Sequence, residues 1–236
     1  MGLVELSVSD LDRSVEYWQD AVGLRVFASE NGTAELGADT ALVRFVEEPD
    51  ARSARGFTGL FHVALLVPDR SSLGRFFAHT GREQIQPTGL SDHVVSESIY
   101  LRDPDYHGIE VYADRSREQW EGRVSQTMTT IPLDTDSLLA EGGDAEFDGL
   151  PDGTTVGHVH LCVRDVDETI AFYHDTLGMG LTAHRGDRAA FFSAGTARLL
   201  RFTVVVPDDE ELERVAERIG GTEVQDPSGN TLTLSV

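Results

Sequence analysis

Two histidines and a glutamate carry the strongest chemical signal. His62 lies in 60–67, where residues alternate strictly: Leu60, His62, Ala64 and Leu66 share one face, and Val63, Leu65 and Val67 the other. His158 lies in a similar stretch, with His160 and Cys162 on its face and Val159, Leu161 and Val163 opposite. Period-two alternation is the pattern of a half-buried strand. Glu110 sits between Ile109 and Val111. A carboxylate with apolar strand neighbours should be paired or ligating, because burying it alone is costly. The chain has one cysteine, Cys162, and eight histidines. An internal disulfide and a cysteine-rich zinc site are therefore excluded, and any metal must be held by imidazole and carboxylate.

The elements that would position these groups recur along the chain. Segments 2–23 and 157–178 align without gaps: Val8, Asp10, Asp12, Asp20 and Gly23 meet Val163, Asp165, Asp167, Asp175 and Gly178. In 60–81 and 199–220, Val67, Pro68, Asp69 and Gly81 meet Val206, Pro207, Asp208 and Gly220. Asp103-Pro104 likewise matches Asp226-Pro227. Repeats one and three are alike, as are two and four, which is the signature of a duplicated two-repeat domain. Each repeat opens with a strand, followed by Asp at a helix N-cap (Asp10, Asp69, Asp165, Asp208). A helix follows, closed by glycine. Short strands are expected over 25–29, 33–37 and 41–46, then 93–101 and 109–112. DPDYHG (103–108) and DPSGN (226–230) read as turns, with His107 solvated. Residues 114–154 read as a linker in which TMTTIPL forms a strand and SLLAEGG a short helix.

The segments TGLFHVALLVPDRSSLG (58–74), SDHVVSESIYLRDPDYHGIEVYADR (91–115), GHVHLCV (157–163) and TVVVP (203–207) resemble the vicinal oxygen chelate superfamily of glyoxalases, bleomycin resistance proteins and extradiol dioxygenases. Within it the chain is similar to two-domain catechol 2,3-dioxygenases. The resemblance implies an α+β fold of four βαβββ modules in two tandem domains, 1–113 and a shortened 155–236, joined by 114–154. It implies metal ligation by His62 and Glu110, from the first and last strands of one module. A further ligand in that family is a His seven residues before the N-cap Asp. His158 keeps that spacing to Asp165, as His62 does to Asp69, whereas repeat one has Leu3 and repeat four Arg201. The implied set is His62, Glu110 and His158, shared between modules two and three. The alternative is an in-domain site with Glu5 as third ligand. Two His and one carboxylate suit Fe(II), with Mn, Ni or Zn as alternatives. His93 resembles the proton-handling His beside the substrate, and Tyr100 the Tyr that orients a metal-bound hydroxyl. His160 would line the substrate pocket.

The implied activity is extradiol cleavage of an aromatic diol. A glyoxalase-like lyase or isomerase and a non-catalytic small-molecule-binding member stay open. The sequence departs from the family in one place: FFSAGTARLLRFTVVV runs almost directly into the next strand, without the His-rich strand and loop that end repeat three.

The formal net charge is −22, and all 19 basic residues are arginine. That excludes nucleic acid as a partner, which needs basic patches. It also points to a salt-accumulating host, because like charges destabilise a compact chain unless screened. No apolar run reaches a membrane span and no secretion signal opens the chain, so a cytoplasmic protein is expected, with a homodimer left open.

Overall fold

The computed structural model describes residues 2–51, 58–116, 118, 129–193, 203–205, 216–217, 219–227 and 231–235. Module one begins with β1 (Val4–Val8), whose side chains alternate buried and exposed. Asp10 then caps α1 (Leu11–Tyr17) by accepting from Arg13 N. The helix widens into a π-turn (Trp18–Val22) and ends at Gly23, φ 84°. β2 (Arg25–Glu30), β3 (Thr33–Gly37) and β4 (Ala41–Glu47) complete a sheet of order β1-β4-β3-β2.

Module two repeats this plan. β5 (Gly59–Leu66) leads through the Asp69 cap to α2 (Arg70–Arg82), then β6 (Gly89–Asp92), β7 (Ser96–Arg102) and β8 (Gly108–Asp114). The strand expected over 93–101 begins only at Ser96, and a separate strand, β6, precedes it. Val94 has φ 70°, and its N–H donates to Asp92 Oδ1 at 2.7 Å, so a tight turn separates β6 from β7. A β-branched residue at positive φ is rare, and composition does not announce it.

The linker packs as an outer layer of module two. β9 (Ile131–Pro132) pairs with β6. α3 (Thr135–Gly142) lies against α2, where Gly74 and Gly142 let the backbones touch: a Cβ on Gly74 would collide with Leu138 O and come within 2.7 Å of Gly142 N. Leu138 is fully buried there. Glu97, also buried, holds Arg70 and Arg115, and Arg70 reaches Ser137 O at 3.3 Å.

β10 (Thr155–Cys162) opens module three but pairs antiparallel with β5. The result is a six-stranded sheet, β10-β5-β8-β7-β6-β9. α4 (Val166–Ile170) continues as a π-turn (Ala171–Thr176), followed by the hairpin β11 (Gly180–His184) and β12 (Ala190–Ser193). β13 (Thr203–Val205), β14 (Glu223–Gln225) and β15 (Thr231–Ser235) form a small sheet. The expectations placed on Arg201, on the Asp208 cap and on the passage after Ser193 lie outside the described residues.

One continuous apolar core joins modules one and two, from Val4 and Phe45 through Phe76 and Ile109, and it reaches Val156 of β10. A smaller core surrounds Tyr173, Leu177 and Met179. None of the described helices is long and apolar enough to cross a membrane.

Candidate metal centre and its relatives

The site lies on one face of the six-stranded sheet, and strand register explains it. Ala64 on β5 faces Glu110 on β8 and His158 on β10. His62, two residues earlier on β5, projects from the same face. Because Ala64 is small, the side chains flanking it can lean together over its methyl group. Glu110 Oε2 lies 2.9 Å from His62 Nε2 and 3.1 Å from His158 Nε2, and the two imidazole nitrogens are 3.3 Å apart.

Glu110 and His62 are both buried, while His158 retains some exposure. Burial alone would raise the Glu110 pKa, but the charge and hydrogen bonds of His158 and His62 reverse this and hold it well below the usual carboxylate range. Burial lowers the His62 pKa; its hydrogen bond and attraction to Glu110 offset only part of that. His62 Nδ1 is buried with no hydrogen-bond partner among the described residues.

A chain of polar groups leaves the triad on one side. Tyr100, directly opposite Glu110 on β7, donates to Glu110 Oε1 at 3.2 Å. Burial, then the charge of Glu110, pushes its hydroxyl pKa upward, so it stays a donor. His93 Nε2 is 2.9 Å from Tyr100 Oη, and its Nδ1 lies 3.3 Å from Thr129 O. On the other side, His160 stands opposite His62, with ring centroids 4.9 Å apart, and its ring lies near Phe61. A cavity of about 180 Å³ runs along β10 past His158 and His160, walled by Tyr173, Met179, Phe191 and Phe192.

All six residues singled out from sequence (His62, Glu110, His158, His93, Tyr100 and His160) thus fall in one neighbourhood. Glu5, the alternative third ligand, does not. It lies in the module-one sheet, its side chain 61% exposed and 3.8 Å from Arg44 Nε. His107 is not solvated as expected: its backbone N and its Nδ1 bind Asp103, a buried acid that also accepts from Trp18 Nε1. Sequence reading missed Tyr112, whose ring lies 5.1 Å from that of His158. The signal was available, since Tyr112 follows Glu110 by two residues and must share its face.

The donors fit a divalent ion. With bonds of about 2.1 Å meeting at right angles, neighbouring donor atoms stand about 3.0 Å apart. The separations of 2.9, 3.1 and 3.3 Å lie close to that value. Two imidazoles and one carboxylate occupying one triangular face leave the other positions open.

Comparison with known proteins agrees with this architecture. The chain is 36% identical to the catechol-2,3-dioxygenase of Bacillus subtilis (strain 168), over 93% of this chain and 87% of that protein. It superposes on a crystal structure of a candidate dioxygenase from Bacillus subtilis subsp. subtilis str. 168 with a TM-score of 0.64, at 14% identity, covering 99% of this chain and 84% of that one. Residues 1–111 and 155–216 match the Glyoxalase/Bleomycin resistance protein/Dioxygenase superfamily, and the chain belongs to that superfamily.

Proposed function

We propose that the protein is a metal-dependent extradiol dioxygenase that cleaves a catechol-type ring next to its diol. The carrying observation is the convergence of His62, Glu110 and His158 within hydrogen-bond distance of one another. Similarity to a catechol-2,3-dioxygenase over most of the chain supports it. Fe(II) suits this donor set, and when bound it would supply adjacent positions for both diol oxygens and for O2, the co-substrate.

The chain's own residues do the rest. His62, Glu110 and His158 hold the ion, with Glu110 kept as an anion by its two imidazole neighbours. Tyr100 gives its one O–H to Glu110 Oε1 and offers its oxygen to a substrate hydroxyl as acceptor. His93, in the tautomer whose proton is on Nδ1 beside Thr129 O, has Nε2 free to take a proton from the incoming diol and return it to the product. His160 borders the site, and the aromatic walls of the cavity along β10 accept the ring and exclude water. The in-domain alternative with Glu5 as third ligand is disfavoured, because Glu5 lies in a different sheet, 3.8 Å from Arg44 Nε.

The charge of −22 is part of the proposal, as adaptation to high salt. The melting temperature should rise between about 0.1 M and about 3 M KCl, because the screening length falls from about 10 Å to below about 3 Å. A flat melting curve across that range would remove salt adaptation. The main test is anaerobic purification, Fe(II) loading and an O2-uptake assay with catechols in molar KCl. Stoichiometric iron and O2 consumption are expected, with both lost in H62A and E110A. Iron uptake without O2 consumption on any catechol would overturn the dioxygenase assignment.

A further inference from the structure

We infer that Tyr112 is a positioning residue that holds His158 in place across the seam between modules two and three, and that Gly157 is the slot admitting it. The inference rests on the triad being a metal site. Tyr112 is 7% exposed and shares a face of β8 with Glu110. Its partner on β5 is Leu66, which faces Thr155 of β10. The β10 register slips between Val156 and His158, so Gly157 is the extra residue of a bulge.

The Tyr112 ring reaches over β5 and ends on that bulge. A Cβ on Gly157 would collide with Tyr112 Oη and lie 2.7 Å from Cζ and 2.9 Å from Cε1. Gly157 is not among the glycines with positive φ, so the requirement for glycine here is space rather than backbone freedom. The flank of the same ring meets His158, centroid to centroid at 5.1 Å and tilted by 58°.

His158 needs such support more than His62 does. Among the described residues β10 is an edge strand of the six-stranded sheet, paired with β5 alone, and the bulge immediately precedes His158. His62 sits on an interior strand. Glu110 and His62 meet the tip of the His158 ring, and Tyr112 meets its side. Strand β8 therefore supplies both the carboxylate donor and the prop for the donor arriving from the other half of the chain. Without the prop, the imidazole regains rotamers that metal binding must then freeze out.

The test compares wild type, Y112F, Y112L and G157A by anaerobic Co(II) titration, with the visible Co(II) spectrum as a second readout. Y112F keeps the ring and should stay within about threefold of wild type, whereas Y112L should weaken Co(II) by about 10- to 100-fold, the usual size of such outer-sphere losses. G157A displaces the ring from the other side and should weaken Co(II) similarly, which covers the case where Y112L fails to fold. A Y112L protein that melts earlier yet binds Co(II) as wild type does would show a purely structural role and overturn the inference. If wild type itself takes up no Co(II), the metal reading fails, and the His158 ring 1H–15N signal of the metal-free protein decides the positioning role. It should shift and broaden in Y112L while that of His62 stays put; an unchanged His158 signal overturns the inference.

Discussion

Modules one and two share a plan, yet only module two gathers a site. Counting back from the N-cap acids, Leu3 stands where His62 does and Glu5 where Ala64 does. In both modules the first strand pairs in parallel with the last, so Arg44, opposite Glu5, takes the place that Glu110 holds opposite Ala64. Module one thus places its carboxylate at the position equivalent to Ala64, on an edge strand, with a cation beside it. Glu5 and Arg44 form a loose, exposed pair at 3.8 Å, of a kind worth at most about 1 kcal/mol. Module two leaves the centre nearly empty, and its donors lean inward. The difference teaches that the small residue matters as much as the ligands, because it provides the room in which they meet.

The largest expected effect comes from making module two resemble module one. A64E places a second carboxylate in that room, and metal content should fall below detection by atomic absorption while circular dichroism stays native-like. Retention of stoichiometric metal in A64E would break the comparison.

Next is the proton path. H93A should lower turnover by about 10²- to 10⁴-fold, the range for a lost general acid–base, while leaving metal content intact. Loss of metal in H93A would instead make His93 part of the ion's support.

Acid should act on module two selectively. The pKa of His62 is lowered by folding, so the unfolded chain protonates first and stability declines as pH drops below about 6.5. Glu110 is depressed, so its contribution is complete above about pH 4.3 and is lost as pH falls through its lower folded value. Urea unfolding of metal-free protein should show both losses, with H62F lacking the first. A wild-type curve flat from about pH 7 to about pH 5 would contradict the His62 shift.

The smallest effect is local. Asp69 Oδ1 accepts from Ser72 N at 2.7 Å, and D69A should cost about 1 kcal/mol through loss of the cap. The same substitution at Asp10, which accepts from Arg13 N at 3.0 Å, should cost about as much, since this device is common to both modules. Thermal melts of the two variants test that equality.

Much of this was legible in the sequence because it is local. Alternation gave the strands, and Asp and Gly gave the helix ends. His62, Glu110 and His158 were nameable because they lie at fixed offsets from caps and turns that a family resemblance could index. What escaped depended on distant partners. The break at Val94 requires a left-handed β-branched residue, which no propensity favours. His107 sits in an apparently open turn, and only the fold brings Trp18 onto the same buried Asp103. Gly157 looked like an ordinary glycine because the ring that needs its space is 45 residues earlier in the chain, at Tyr112.

The separation of His62 from His158, 96 residues along the chain, also bears on how the protein is made. Synthesis delivers His62 and Glu110 while residues 155–162 are still unmade, so a nascent chain exposes an acid and one imidazole with the cage unfinished. Closing a loop of that length is slow relative to local pairing. The expectation is that the centre matures last, after the core shared by modules one and two has shut around Trp18. Refolding in the presence of Co(II) should therefore show tryptophan burial first and the metal's visible absorption later. Simultaneous appearance of the two signals would mean that β10 docks as part of the initial collapse.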